Sequence, residues 1–503
     1  MATLTAEATA VPQLIDGAFA EAHGETSEEI YDPGNGEVIA RLRHSSAADI
    51  NAAVESAKRA FPAWAATPAP DRAQVMFRFK QLLEEHFEEL AQLVVRENGK
   101  ALAEARGEVR RGIEVVDVAC GAPSLLMGQT LGQIADGIDE ALWRFPVGVV
   151  AGITPFNFPM MVPMWMLPLA LVAGNTFVLK PSPRTPLSAV RAAELLQEAG
   201  LPAGVLNVVH GDKEAVDSLL THPDVDAVSF VGSASVAKYI YATGATNGKR
   251  VQALGGAKNH MIVMPDADLA KTATALISSA FGNAGQRCLA GSVVVAVGDI
   301  ADRLVSELSR QAAELRLGHG MDSQTQMGPV IRNRRIQELS DSIQRGIDSG
   351  AEVVLDGRRH AGSGGSGYYL GPTIMDRVTA EMELWQSELF GPILSVVRVA
   401  DLNGALALLN RSTYGNAAAI FTSSGGAARE FTQRAEAGML GVNIGVAAPM
   451  AFFPFCGWKN SFFGDLHATG SDGIRFYTRT KVVTSRWYLG EQLDHTAPEG
   501  RGH

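Results

Sequence analysis

From residue 145 onward, apolar and polar positions switch between two periods. Short apolar runs at 147–153, 176–179, 205–209, 226–230 and 250–254 read as buried strands, and the segments between them, 160–173, 186–199, 213–221 and 234–243, carry helical spacing. Five strands separated by helices predict a parallel, doubly wound α/β sheet, whose ligands sit beyond the carboxyl ends of the strands. A second alternating block runs from near 260 to about 445, with helix 268–281, strand 291–297 and helix 300–315. Upstream, 47–60 reads as an Ala-rich helix. Residues 71–96 read as one amphipathic helix with Asp71 as N-cap and Val75, Phe79, Leu83, Leu90 and Val94 on its apolar stripe. A further helix is expected over 102–119. Residues 123–146 and 475–488 resemble strand pairs outside both blocks, which could extend a sheet across a subunit boundary. The polar ends, 1–11 and 491–503, are expected to be loosely ordered.

Composition narrows the picture. The chain has 503 residues, 46% apolar and 19% charged, enough for more than one core and too apolar for a disordered protein. Its 43 basic and 54 acidic residues give a net charge of −11 with no basic run, a poor match to nucleic acid or an anionic membrane. No charged side chain occurs between Arg144 and Lys180, so composition alone would allow a membrane span there. Pro146, Pro155, Pro159, Pro163 and Pro168 argue against a lone helix in lipid, as does the change of period inside the run. No secretory pattern is visible at the N-terminus, so the expected location is cytoplasmic. Cys120, Cys288 and Cys456 form no CxxC pair and the histidines show no ligand spacing, so no metal site is assigned.

Five segments could carry chemistry. In Gly282-Asn-Ala-Gly-Gln-Arg-Cys288, a cysteine follows a Gly-containing loop at the end of a helix, and Arg287 beside it favours thiolate. Thr154-Pro-Phe-Asn-Phe-Pro159 follows a buried strand, where the Asn157 amide and the Cys288 N–H could form an oxyanion hole. Ser233 follows a strand and opens a helix, a place for phosphate. Lys180 ends a strand, and Glu388 precedes a tight turn. Taken singly, each has an ordinary explanation: a buried thiol, a turn asparagine, a helix cap, surface charges. There is no GxGxxG.

Together, in this order and spacing, these segments resemble the aldehyde dehydrogenase superfamily over roughly residues 12–488. Ile153-Thr-Pro-Phe-Asn-Phe-Pro159, Leu254-Gly-Gly-Ala-Lys-Asn-His260, Gly285-Gln-Arg-Cys288, Pro449-Met-Ala-Phe-Phe-Pro-Phe455, Gly464-Asp-Leu-His-Ala-Thr-Gly470 and Phe476-Tyr-Thr-Arg479 resemble its CoA-acylating methylmalonate-semialdehyde dehydrogenase branch. The resemblance implies a Rossmann-type NAD-binding domain from 12–122 and 145–254, an α/β catalytic domain at 255–448, and a small β oligomerisation element from 123–144 and 470–490. It implies Cys288 as nucleophile and Asn157 as oxyanion donor. Lys180, Ser233 and Glu388 would bind the cofactor, with Thr154, Phe156, Arg184 and Gly255 lining the same groove. Arg111 and Arg287 would hold a substrate carboxylate through guanidinium forks. The partners implied are a small semialdehyde, CoA as co-substrate and further copies of the chain in a homotetramer.

Two departures sharpen the expectation. Hydrolytic relatives have Glu-Leu-Gly-Gly where this chain has Ala253-Leu254-Gly255-Gly256. Alanine cannot serve as a base, and losing one typically costs about 10²–10⁴-fold, so the acyl-enzyme should await CoA rather than water. The family often has an acid three positions after the lysine, and here that position is Pro183. NAD is therefore the expected cofactor with NADP left open. A hydrolytic aldehyde dehydrogenase and a catalytically silent homologue remain the alternatives.

Overall fold

The computed structural model describes residues 9–360 and 366–488. The five expected strands lie side by side and parallel, in the order Arg250–Leu254, Ala227–Val231, Val149–Ile153, Thr176–Lys180, Leu206–Val208. Chain order reverses between Val149–Ile153 and Ala227–Val231, so a crevice opens at their carboxyl ends. Helices cover both faces, which is why these strands read as continuous apolar runs rather than alternating ones. Three strands that periodicity did not suggest complete this sheet. Gln13–Ile15 and Ala18–Ala20 add an antiparallel pair at one edge, and Phe462–Phe463 pairs with Arg250–Leu254 at the other.

The uncharged run folds inside this unit. Its helix, Met161–Val172, has 12 residues, all buried. At about 1.5 Å per residue such a helix covers roughly 18 Å, well short of a bilayer core. Among the described residues, no helix is long and apolar enough to cross a membrane.

The second block forms a seven-stranded sheet with its own apolar core. Its centre is Ile393–Val399, Gly291–Val297, Asn259–Val263 and Ala417–Phe421, all parallel. A separate antiparallel sheet joins Gln129–Ala135, Ile138–Pro146 and Thr478–Arg486. Residues 475–488 thus supply one strand rather than a pair, and the preceding helix is Gly470–Phe476.

Two other expectations change. The helix expected over 71–96 is two, Ala69–Glu85 and Phe87–Asn98, because His86 (φ −97°, ψ 14°) breaks the ladder while the apolar stripe runs on across the break. Asp71 lies in the first turn, where a carboxylate favours the helix dipole, and the N-cap is Pro68. Residues 9–11, expected within a loose end, form strand Thr9–Val11 paired with Ala40–Leu42. The expected loose residues 1–8 and 491–503 lie outside the described residues.

Candidate active site

The cysteine loop is built from strained backbone. Helix Leu269–Phe281 ends in a short 3₁₀ turn, Gly282–Gly285, with Asn283 (φ 49°), Ala284 (φ 51°) and Gly285 (φ 71°) all left-handed. For non-glycine residues that conformation costs about 1–2 kcal/mol each. A Cβ at Gly285 would lie 2.2 Å from the Gly391 carbonyl oxygen, so only glycine lets this loop abut the turn that follows Glu388. Two amides pin the far side: Asn259 and Asn416 both donate to the Cys288 carbonyl at 2.8 Å.

The strand Val149–Ile153 delivers the second piece. The Asn157 amide donates one N–H to the Gln286 carbonyl at 2.9 Å, which fixes its orientation beside the cysteine loop. An amide nitrogen carries two hydrogens, so one donor remains. Asn157 and Cys288 line the same cleft, of about 490 Å³. That cleft also brings together Thr154, Phe156, Arg184, Ser233, Gly255 and Glu388. Ser233 is the N-cap of helix Ala234–Thr246, yet its hydroxyl makes no capping bond to that helix. Glu388 is half-buried, accepts from the Ala257 N–H at 3.0 Å, and its carboxyl is pushed up to about 7 by burial. Gly256 leaves room for it, since a Cβ there would lie 2.5 Å from Glu388 Oε2. Lys180 is not on the cleft wall. Its ammonium donates to the carbonyls of Pro181 and Gly211, both at 2.9 Å, and burial lowers its pKa to about 8. The cleft walls also include Gln286, which the cysteine motif contained without a role assigned to it, and Ile331, Arg332 and Arg335, which no periodic or motif signal singled out.

A second cleft, of about 280 Å³, reaches Cys288 from the other side. Phe158 and Cys288 belong to both. Arg111 and Arg287 line this smaller cleft although 176 positions separate them in the chain, 287 − 111. Arg111 is held by Glu114 at 3.0 Å and by the Pro449 carbonyl at 2.5 Å. Arg287 donates to the carbonyls of Ser278 and Ser279 at the end of helix Leu269–Phe281, and its buried Nε has no partner among the described residues. The expected thiolate is not favoured here. Burial first, then the Glu388 carboxylate, push the Cys288 thiol up to about 12. Arg287 acts in the expected direction, but more weakly, because its guanidinium is spent on the helix end.

The geometry agrees with the comparisons. The pattern of the aldehyde dehydrogenase family matches residues 19–483. The chain belongs to that family. It is 54% identical to malonate-semialdehyde dehydrogenase 1 of Geobacillus thermodenitrificans (strain NG80-2), over 96% of this chain and all of that protein. It is 54% identical to the malonate-semialdehyde dehydrogenase of Halalkalibacterium halodurans, over 94% of this chain and 98% of the other. The crystal structure of methylmalonate-semialdehyde dehydrogenase from Oceanimonas doudoroffii superposes with TM-score 0.94 at 49% identity, covering 95% of this chain and 99% of that one. A Sinorhizobium meliloti 1021 protein solved in complex with NAD superposes with TM-score 0.95 at 47% identity, over 97% and 100%.

Within this aldehyde dehydrogenase fold, Ala253 is fully buried in the cluster with Val251, Phe230 and Ile240, and Leu254, the next strand residue, joins the other apolar cluster. Neither position carries a carboxylate.

Proposed function

We propose that this enzyme oxidises malonate or methylmalonate semialdehyde with NAD and transfers the acyl group to CoA. The observation that carries the reading is the convergence of Arg111, Arg287 and Cys288 on one small cleft that meets the larger groove at the cysteine. The groove suits a dinucleotide: a helix N-terminus capped by Ser233, whose hydroxyl lies 3.4 Å from that of Ser235, faces it, the half-buried Glu388 carboxyl offers an acceptor, and the walls are largely apolar. NAD, when bound, supplies the hydride acceptor for the oxidation.

The residues then take these roles. The Cys288 thiol loses its proton to solvent as its sulfur adds to the aldehyde carbonyl. The oxyanion that forms is held by the spare Asn157 N–H and the Cys288 N–H. Oxidation leaves a thioester on Cys288. Arg111 and Arg287 orient the substrate carboxylate. Carbon dioxide is lost from the carbon next to the thioester carbonyl, and the CoA thiolate takes the acyl group and frees Cys288. Acetyl-CoA or propionyl-CoA, CO2 and NADH result. Lys180, Ser233 and Glu388 hold the adenine ribose, the pyrophosphate and the nicotinamide ribose, with Thr154, Phe156, Arg184 and Gly255 along the groove. With Ala253 standing where hydrolytic relatives carry glutamate, water has no base at that position.

We retain the cytoplasm as the expected location and a homotetramer as the expected assembly. The small antiparallel sheet supports a subunit contact, since Leu131 (58% exposed), Trp143 (56%) and Val482 (64%) stand open on it. NAD remains the expected cofactor. NADP use as a lesser activity is supported by Pro183 and by Arg184, which lines the groove together with Arg332.

The test is malonate semialdehyde with NAD, with and without CoA. Catalytic NADH formation should require CoA and yield acetyl-CoA. Equal catalytic rates without CoA, with free acid accumulating, would overturn the reading. Ala253→Glu should raise CoA-independent turnover. No gain would mean that geometry, rather than the missing base, sets the outcome.

A further inference from the structure

The segment from Asn98 to Arg111 touches three of the loops around Cys288, at 156–161, 283 and 449. Gly99 (φ 90°) ends helix Phe87–Asn98, and a Cβ there would lie 2.6 Å from Pro329, so glycine lets the chain turn tightly against the second sheet unit. Asn98 donates to the Phe156 carbonyl at 3.0 Å. In helix Leu102–Cys120, Glu104, Glu108 and Arg111 share one face, four and three positions apart. Glu104 accepts from the Asn283 N–H in the cysteine loop at 2.8 Å. Glu108 accepts from the Met160 and Met161 N–H groups at 2.9 and 3.1 Å, satisfying the start of helix Met161–Val172. Arg111 reaches the 449 loop.

The centre of this arrangement is an ion pair. Lys100 Nζ lies 2.5 Å from Glu108 Oε2, with both side chains all but fully buried (1% and 0% exposed). The same ammonium donates to the main-chain carbonyl of Asn157 at 2.7 Å and sits 4.2 Å from the centre of the Phe158 ring. Asn283 also donates to the Asn157 carbonyl, at 3.3 Å. The backbone of Asn157 is thus set by Lys100 and Asn283, and its amide by Gln286.

Burying two charges is costly, and apolar residues of similar volume often stabilise a fold as well or better. Stability alone does not account for the pair. We propose that Lys100 and Glu108 are positioning residues for the oxyanion donor. They hold the Asn157 peptide so that its spare N–H meets the oxygen of the thiohemiacetal formed on Cys288. The inference rests on the role proposed for Asn157. The pair acts through geometry, where a misplacement of about 1 Å can cost about 10²-fold in rate.

A double-mutant cycle tests this. Lys100→Met combined with Glu108→Leu removes both charges and leaves no unpaired ion. The NADH burst with propanal should fall by about 10–100-fold, while NAD affinity and melting temperature stay near those of the parent. In an Asn157→Ala background, the same double change should alter the burst by less than about threefold, because the donor it positions is gone. An unchanged burst in the charge-free enzyme would overturn the proposal. So would equal fold losses in both backgrounds, which would mark a general structural role. If the charge-free enzyme does not fold, Glu108→Gln, which keeps the size, should show the same non-additivity. A fully active Asn157→Ala enzyme would instead overturn the oxyanion reading on which the inference rests.

Discussion

The two clefts that meet at Cys288 are built differently. The larger groove is made from turns at the carboxyl ends of parallel strands: 154–159 after Ile153, Gly232 and Ser233 after Val231, and Gly255 after Leu254. Its position is set by the reversal of strand order and needs little from individual side chains. The smaller cleft is made from one face of helix Leu102–Cys120 and loops at 283–289 and 446–455. It is rich in charge, with Lys100, Glu104, Glu108, Arg111, Glu114 and Arg287 on its walls, whereas the groove's only acid is Glu388. In the proposed reading, sheet topology supplies a generic dinucleotide groove, and a helix face with distant loops supplies the selectivity for the other reactant.

That contrast can be broken in four places. Cys288→Ala removes the nucleophile where the two clefts meet and should abolish NADH formation, by about 10⁴-fold or more, while NAD binding measured by fluorescence persists. Parallel loss of NAD binding would mean that the cysteine also shapes the groove. Next, Arg111→Leu or Arg287→Leu should raise KM for malonate semialdehyde about 10–100-fold, as expected for hydrogen bonds to a charged group worth about 1.5–3 kcal/mol, with little change for propanal. Equal effects on both aldehydes would remove that arginine from the substrate site.

A smaller effect belongs to the groove. Glu388 titrates near 7 because burial disfavours its charge. The ionised carboxylate is the better acceptor for a ribose hydroxyl, so KM for NAD should fall severalfold, about three- to tenfold, as pH rises from about 6 to 8. Glu388→Gln should flatten that profile, and a profile unchanged by the substitution would assign it to another group. For folding the sign is opposite. Between the carboxyl's usual value and about 7 the folded protein binds more protons than the unfolded chain. Glu388's contribution is therefore fully present below the usual value and is lost as pH rises through about 7. The smallest effect is at the ribose end. Arg184→Ala should weaken NADP use by about three- to tenfold relative to NAD, as for the loss of one exposed charge-assisted contact. Equal losses for both cofactors would leave the arginine without a part in selection.

Much of the groove was legible in the sequence. The strand–loop–helix periodicity located 154–159, 232–233 and 282–288, and of the residues assigned to the groove by resemblance only Lys180 is absent from its wall. Lys180 does stand at the end of its strand, but its ammonium turns to backbone carbonyls, a contact no spacing announces. The smaller cleft was far less legible. Lys100, Glu104 and Glu108 sit in or just before a segment that the sequence marked only as a packed helix, and only the approach of the 154–161 turn and the 283 loop reveals what their charges meet.

The sequence by itself determined the element order, the doubly wound parallel sheet and the cysteine, because apolar period and turn chemistry are local properties of the chain. It also ruled out a membrane role for the uncharged run at 145–179, through its prolines and its change of period. Only the tertiary structure decided that Arg111 and Arg287 share a wall and that the 71–96 helix breaks at His86. A helical period fixes which residues share a face, but what that face meets is decided by contacts between segments far apart in the chain.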